Sequence, residues 1–182
     1  MDFLKLTSDP LSVEEVSNLV GDPSCGAISL FVGTTRDHFE GQIVCRLEYE
    51  AYNEMAEKEM KKICKECRSK WNLKNIAVYH RLGVVGVKEA SVILAVSSEH
   101  RRESLDAVSY LIDALKSSVP IWKREVYSNE KSEWKQNKEC HWSKENQHEE
   151  EKEHGGKIKR EFPDSPFDDI EIKQEPLDSD PE

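Results

Sequence analysis

Apolar and polar positions recur along this chain with two periods, one near 3.6 and one of 2, and the switches between them mark out its elements. Ser12 followed by Glu15 has the form of a capping box, which predicts a short helix to Val20, ended by Gly21, Asp22 and Pro23. Residues 26–32 are an apolar, β-rich run, and residues 43–52 alternate like a strand with one wet face, with a polar loop over 33–42 between them. Over 55–70, Ala56, Met60, Ile63, Cys64 and Cys67 recur at helical spacing. Residues 75–82 read as a strand, 83–86 as turn residues, and 91–98 as a second apolar strand, together a predicted hairpin. A helix from about 102 to 117 carries Leu105, Val108, Leu111, Ile112 and Leu115 on one stripe and stops before Pro120. A last strand spans 121–127. Strands and helices mix without regular βαβ alternation, which predicts an α+β domain with a mainly antiparallel sheet and no internal repeat.

Charge changes this picture at the C-terminal end. The chain has 182 residues and a formal net charge of −10. Residues 143–182 hold 14 acids and 6 bases, four of the seven prolines, and no Trp or Tyr. Such a segment cannot bury enough apolar surface to offset its ordering entropy, so residues 1–142 are predicted as one domain and 143–182 as a disordered acidic tail. In that tail Lys159 and Lys173 each lie in a hydrophobic-Lys-x-acid pattern at which small ubiquitin-like modifiers are attached, although so short a pattern arises easily by chance. No apolar run approaches the ~18–20 residues of a membrane span, and no signal-like N-terminal stretch is present, so a soluble cytosolic protein is expected. Neither a nucleic-acid nor a membrane partner is expected.

The five cysteines are odd in number and irregularly spaced, which argues against a secreted disulfide framework. Cys64 and Cys67 form a C-x-x-C, but inside a helical pattern both sulfurs most simply face the core. A zinc site completed by Cys140 and His141 lacks a second closely spaced pair. There is no P-loop, no G-x-G-x-x-G, no G-x-S-x-G elbow and no His-x-x-x-His.

Cations at element ends stand out instead. Arg36 follows a strand, His100, Arg101 and Arg102 occupy a strand-to-helix junction, Lys116 lies in a last helical turn, and Lys123 and Arg124 follow Pro120. For any single lysine an ordinary surface charge is the default. The bend at Pro120, however, brings Lys116 and Lys123 toward one pocket, and an amine crowded by other cations in a partly dry site becomes available as nucleophile or base. At the His100 and Arg101 junction, free backbone N–H groups and the helix dipole add to the side-chain charge, so that an anion is the expected ligand.

Several stretches resemble the large, catalytic subunit of molybdopterin synthase, the eukaryotic branch in particular. They are GAISLFVGTTR (26–36), LEYEAY (47–52) with Met55 and Ala56, VYHRLG (78–83), SSEHR (97–101), and DALK (113–116) followed by VPIWKRE (119–125). The resemblance spans about residues 11–142 and implies an α/β-hammerhead fold. It implies a dimer that binds a small ubiquitin-like sulfur carrier on each copy, forming a heterotetramer. The carrier's C-terminal Gly-Gly ends in a thiocarboxylate, from which two sulfurs pass to cyclic pyranopterin monophosphate to make the molybdopterin dithiolene. By this resemblance Arg36, His100 and Arg101 bind substrate around its phosphate. Lys116 attacks the carrier's acyl carbon or handles protons as sulfur leaves, and Lys123 holds carboxylate or substrate and acts as acid or base. Arg124 adds to the anion field, and Glu125 orients Lys123 or Arg124. Phe31 is expected in the core. No metal or redox cofactor is implied, since the sulfur arrives activated. Two other readings stay open at this point: an adaptor of the same fold whose acidic tail recruits partners while the old active site is idle, and an anion-binding module without turnover.

Overall fold

The computed structural model describes residues 1–128 and the strand Ser132–Lys135. The elements run in the order β1 (Asp2–Thr7), α1 (Val13–Val20), β2 (Ala27–Thr34), β3 (His38–Phe39), β4 (Gln42–Ala51), α2 (Asn53–Lys70) and β5 (Asn75–Arg81). Then come β6 (Gly83–Gly86), β7 (Ala90–Ser98), α3 (Arg101–Ser118), β8 (Ile121–Tyr127) and β9 (Ser132–Lys135). The predicted acidic tail, with Cys140, His141, Lys159 and Lys173, lies outside the described residues.

One sheet has the order β1-β5-β7-β2, in which β1 pairs parallel with β5 and the remaining pairs are antiparallel. Its central strands alternate between two cores. Ile76, Val78, Val92, Leu94 and Val96 point toward α2 and α3, whereas Ala77, Tyr79, Ile93 and Ala95 meet Val16 and Val20 of α1. Burying those two valines contributes roughly 1.5–3 kcal/mol each, and the Ser12 hydroxyl starts their helix by accepting from the Glu15 amide at 3.1 Å. Phe31 packs against the larger core, as expected. The second sheet runs β3-β4-β8-β9, with β6 also pairing with β4. The α+β architecture with mainly antiparallel pairing is thus as the sequence predicts.

Some predicted elements differ. The polar loop over 33–42 contains β3, folded back on β4 through Glu40 and Gly41, which both take positive φ and so make the tight turn. The segment read as turn residues between β5 and β7 is the strand β6. Two valines decide this: Val85 is fully buried opposite Leu47, and Val84 pairs with Glu48, while Gly83, at φ 72°, supplies the sharp entry. Leu105, placed on the buried stripe of α3, is exposed, because α3 is covered only on the side carrying Ala107, Val108, Leu111 and Leu115.

Candidate functional site

The site is built from the residues flanking the turn between α3 and β8. The amide of Val119 donates to the Leu115 carbonyl, and that of Ile121 to the Val119 carbonyl at 2.8 Å, so only Val119 and Pro120 separate helix from strand. Lys116 lies exposed in the last turn of α3, and Lys123 is the third residue of β8.

Strand periodicity sorts the side chains of β8 onto two faces. Lys123, Glu125 and Tyr127 share one face of β8, with Tyr49 and Leu47 of β4 opposite the first two. Glu125 is 3% exposed; its Oε1 lies 3.2 Å from the Lys123 ammonium, and its Oε2 accepts from the Tyr127 hydroxyl at 2.5 Å. Lys123 is therefore paired with a buried carboxylate. Tyr49 belongs to the same inner layer. Burial raises its phenol above the ordinary value and the nearby Glu125 charge adds to this, while a hydrogen bond involving Ser91 opposes it. Its ring meets that of His80 edge-on at 5.0 Å. Burial pushes the His80 imidazole down to about 4, and its Nδ1 lies 2.8 Å from the Arg81 carbonyl.

Arg124 points the other way. Its Nε donates to Glu48 Oε2 at 2.9 Å and its Nη2 to the same oxygen, while Arg46 Nε donates to Oε1 at 2.8 Å. Burial alone raises the Glu48 carboxyl, but these hydrogen bonds and the two charges carry it below the ordinary range. Of the two cations that the sequence left open for Glu125 to orient, it is Lys123 that Glu125 holds; Arg124 has Glu48.

Arg36 stands exposed beyond β2, its guanidinium 6.0 Å from the Phe39 ring centre. The neighbouring Thr35 is buried, its amide donating to the Glu89 carbonyl at 3.1 Å and its carbonyl accepting from Lys88 at 2.9 Å, which fixes where Arg36 emerges. His100 is the N-cap residue of α3 and makes no side-chain cap hydrogen bond; its Nε2 lies 3.8 Å from Glu99. The Ser98 hydroxyl donates to its carbonyl at 2.6 Å. Arg101 and Arg102 come next in the chain, both exposed. The junction is rigid from below: the Gly26 amide donates to the Glu99 carbonyl, and the buried Ser29 and Ser104 hydroxyls meet at 2.8 Å.

These positions fall into two groups. From Arg101 to Lys116 the helix rises roughly 22 Å, and β2 runs about 23 Å from its start near Ser98 to its end near Arg36. Because α3 folds back along β7 and β2, Arg36, Lys116 and Lys123 lie toward one end of the domain and His100 with Arg101 toward the other. A single chain does not gather them all.

A groove of about 300 Å³ between α2 and α3 is lined by Glu59, Glu66 and Asp113, and Lys62 there is paired with Glu59 at 3.5 Å, so it has the wrong sign for an anion. Burial pushes the thiols of Cys64 and Cys67 up to about 12, which suits core packing and not a zinc thiolate. Among the described residues no group of three or more His, Cys, Asp or Glu is placed to hold a metal, and no helix is long and apolar enough to cross a membrane. Sequence reasoning passed over Tyr127 and Tyr49, although the two-residue alternation from Lys123 already puts Tyr127 on the same face.

The MoaE protein family matches residues 6–118. The molybdopterin synthase catalytic subunit of Bos taurus is 64% identical over 142 residues, which cover 78% of this chain and 75% of that one. Its counterpart in Taeniopygia guttata is 65% identical over 143 residues, 78% and 92% of the two chains. Among solved structures, molybdopterin synthase from Staphylococcus aureus superposes with a TM-score of 0.69 at 34% identity, covering 71% of this chain and 94% of that one. A family match over more than half the chain, with relatives this similar along most of their length, establishes that the chain belongs to the MoaE protein family.

Proposed function

We propose that this chain is the catalytic subunit of a molybdopterin synthase, a sulfurtransferase of molybdenum cofactor biosynthesis. The observation that carries the chemistry is the pair of lysines across the Val119 and Pro120 turn, one exposed at the end of α3 and the other held by the buried Glu125 carboxylate. The sulfur donor is a small ubiquitin-like carrier ending in a thiocarboxylate, and the acceptor is cyclic pyranopterin monophosphate. Both are anions, and a further negative charge develops on the carrier's carbonyl oxygen as sulfur leaves, so cations at the site lower the barrier. Lys116 attacks the carrier's acyl carbon or moves the proton as sulfur departs; Lys123 holds the carboxylate and serves as acid or base. Arg36, His100 and Arg101 bind the substrate around its phosphate. Because His100 and Arg101 lie one helix length from Lys116, they act on the same substrate only across an interface between two copies, in keeping with a dimer inside a heterotetramer. A chain of like fold from Helicobacter pylori was solved as a protein–protein complex of subunits 1 and 2 of molybdopterin-converting factor; at 20% identity that likeness speaks for the fold. A cytosolic location completes the reading.

Reconstitution tests it. The full chain mixed with a thiocarboxylated carrier and cyclic pyranopterin monophosphate yields dithiolene. Lys116→Ala lowers kcat far more than carrier affinity, whereas Arg36→Ala chiefly raises KM for the substrate. A wild-type chain that binds carrier and substrate but makes no product defeats the reading, and equal effects on both parameters in both variants contradict the assigned roles.

A further inference from the structure

Resting on the sulfurtransferase reading, we infer that Tyr127 is a positioning residue for Lys123 and acts through Glu125. The three side chains stand at every second position of β8 and hence on one face. Tyr127 is 4% exposed and donates its hydroxyl to Glu125 Oε2 at 2.5 Å, while the opposite oxygen, Oε1, lies 3.2 Å from the Lys123 ammonium. A carboxylate excluded from water needs donors on both oxygens to keep its charge and one rotamer. With Tyr127 holding the inner oxygen, the outer one is aimed at Lys123, whose side chain is still 38% exposed and reaches the surface where the carrier's tail must arrive. Lys123 leans on a fixed anion instead of sweeping through solvent, and its amine is set in place before substrate enters. The phenol never touches substrate; its effect runs through the carboxylate.

A cycle of variants in the reconstituted full-chain synthase tests this. Tyr127→Phe keeps the ring and loses the donor, and is expected to lower kcat about tenfold while KM and carrier affinity stay within about twofold. In a Lys123→Ala background the same change has almost no further effect on kcat, because the group it positions is gone. Glu125→Gln, which still accepts from Tyr127 but carries no charge, reproduces the defect. Equal losses from Tyr127→Phe in both backgrounds mark a merely structural role and overturn the inference. A second arm needs no turnover: acylation of Lys123 by a small activated ester, located by peptide mass spectrometry, rises about threefold in Tyr127→Phe while that of Lys116 is unchanged. If the wild type makes no product, the sulfurtransferase reading fails and this arm still decides the positioning; unchanged labelling of Lys123 overturns it.

Discussion

Lowering the pH from 7 to 5 should destabilise this protein through a single buried ring. The imidazole of His80 is 4% exposed between the two sheets, and burial holds it at about 4 against 6.5 in an open chain. Nδ1 lies 2.8 Å from the Arg81 carbonyl, so the neutral tautomer that donates from Nδ1 fits the site. As pH falls through 6.5 the unfolded chain takes up a proton that the folded chain refuses, and stability is lost until the folded form also titrates near 4. A gap of that size corresponds to about 3 kcal/mol in full, of which about 2 kcal/mol is lost by pH 5. The carboxyls of Asp22, Asp37, Glu48 and Glu89 are all held below ordinary values of 3.8 or 4.5. Their stabilisation is present above those values and falls away only as pH drops further, so it scarcely enters this window. Urea unfolding of the wild type and of His80→Asn at both pH values isolates the ring, since the asparagine amide can still donate to Arg81. The variant gives up the edge-on contact with Tyr49, about 1 kcal/mol at either pH. It should show about 2 kcal/mol less pH-dependent loss than the wild type. Identical losses in the two proteins refute the claim that His80 stays neutral in the fold.

Two further outcomes are expected. With a thiol reagent at pH 8, Cys45 reacts readily and Cys25 more slowly, while Cys64 and Cys67 stay unmodified until urea opens the core, as peptide mass spectrometry will show. Gly26→Ala places a Cβ 2.9 Å from the Glu99 carbonyl oxygen; relieving that overlap costs roughly 1–3 kcal/mol in urea unfolding. Because it displaces the backbone ahead of His100, it should also raise KM for the substrate more than it lowers kcat.

How far the sequence could be read depended on what each signal encodes. The helices were legible from caps and stripes: Ser12 and Pro120 set boundaries that the fold keeps within a residue or two. The span 121–127 matched β8, in which the two-residue alternation of a strand puts Lys123 and Arg124 on opposite faces. Gly83 to Gly86 misled because glycines at both ends mimic a turn, and only the pairing with residues 46–49 of β4, remote in sequence, makes the valines between them a strand. Strand β1 was passed over, since Phe3, Leu4 and Leu6 are too few to rise above background until β5 lies beside them. Leu105 shows the limit of periodicity, which tells which residues share a face but not how much of that face a neighbour covers.

The same limit explains why the cations looked like one cluster. Position at the end of an element is visible in a sequence, but which end of the domain that is depends on strand order and direction. With β2 antiparallel to β7 and α3 returning along them, Arg36 and Lys116 are carried to one end and His100 to the other. Local acids then set what each cation is free to do. Arg124 is tied to Glu48 on the outer face of the second sheet, where it braces β4 against β8 and stiffens the strand that presents Lys123. Its substitution should therefore weaken the alignment of β8 rather than subtract a charge from the substrate. Lys123 is tied to an acid as well, but its own side chain is over a third exposed and stays accessible from solvent while Glu125 is buried beneath it. On the proposed assignment the chemistry sits at the Lys116 and Lys123 end of one copy and the phosphate is met by the His100 and Arg101 end of another. The separation imposed by an 18-residue helix then becomes the reason that two copies are needed for one site.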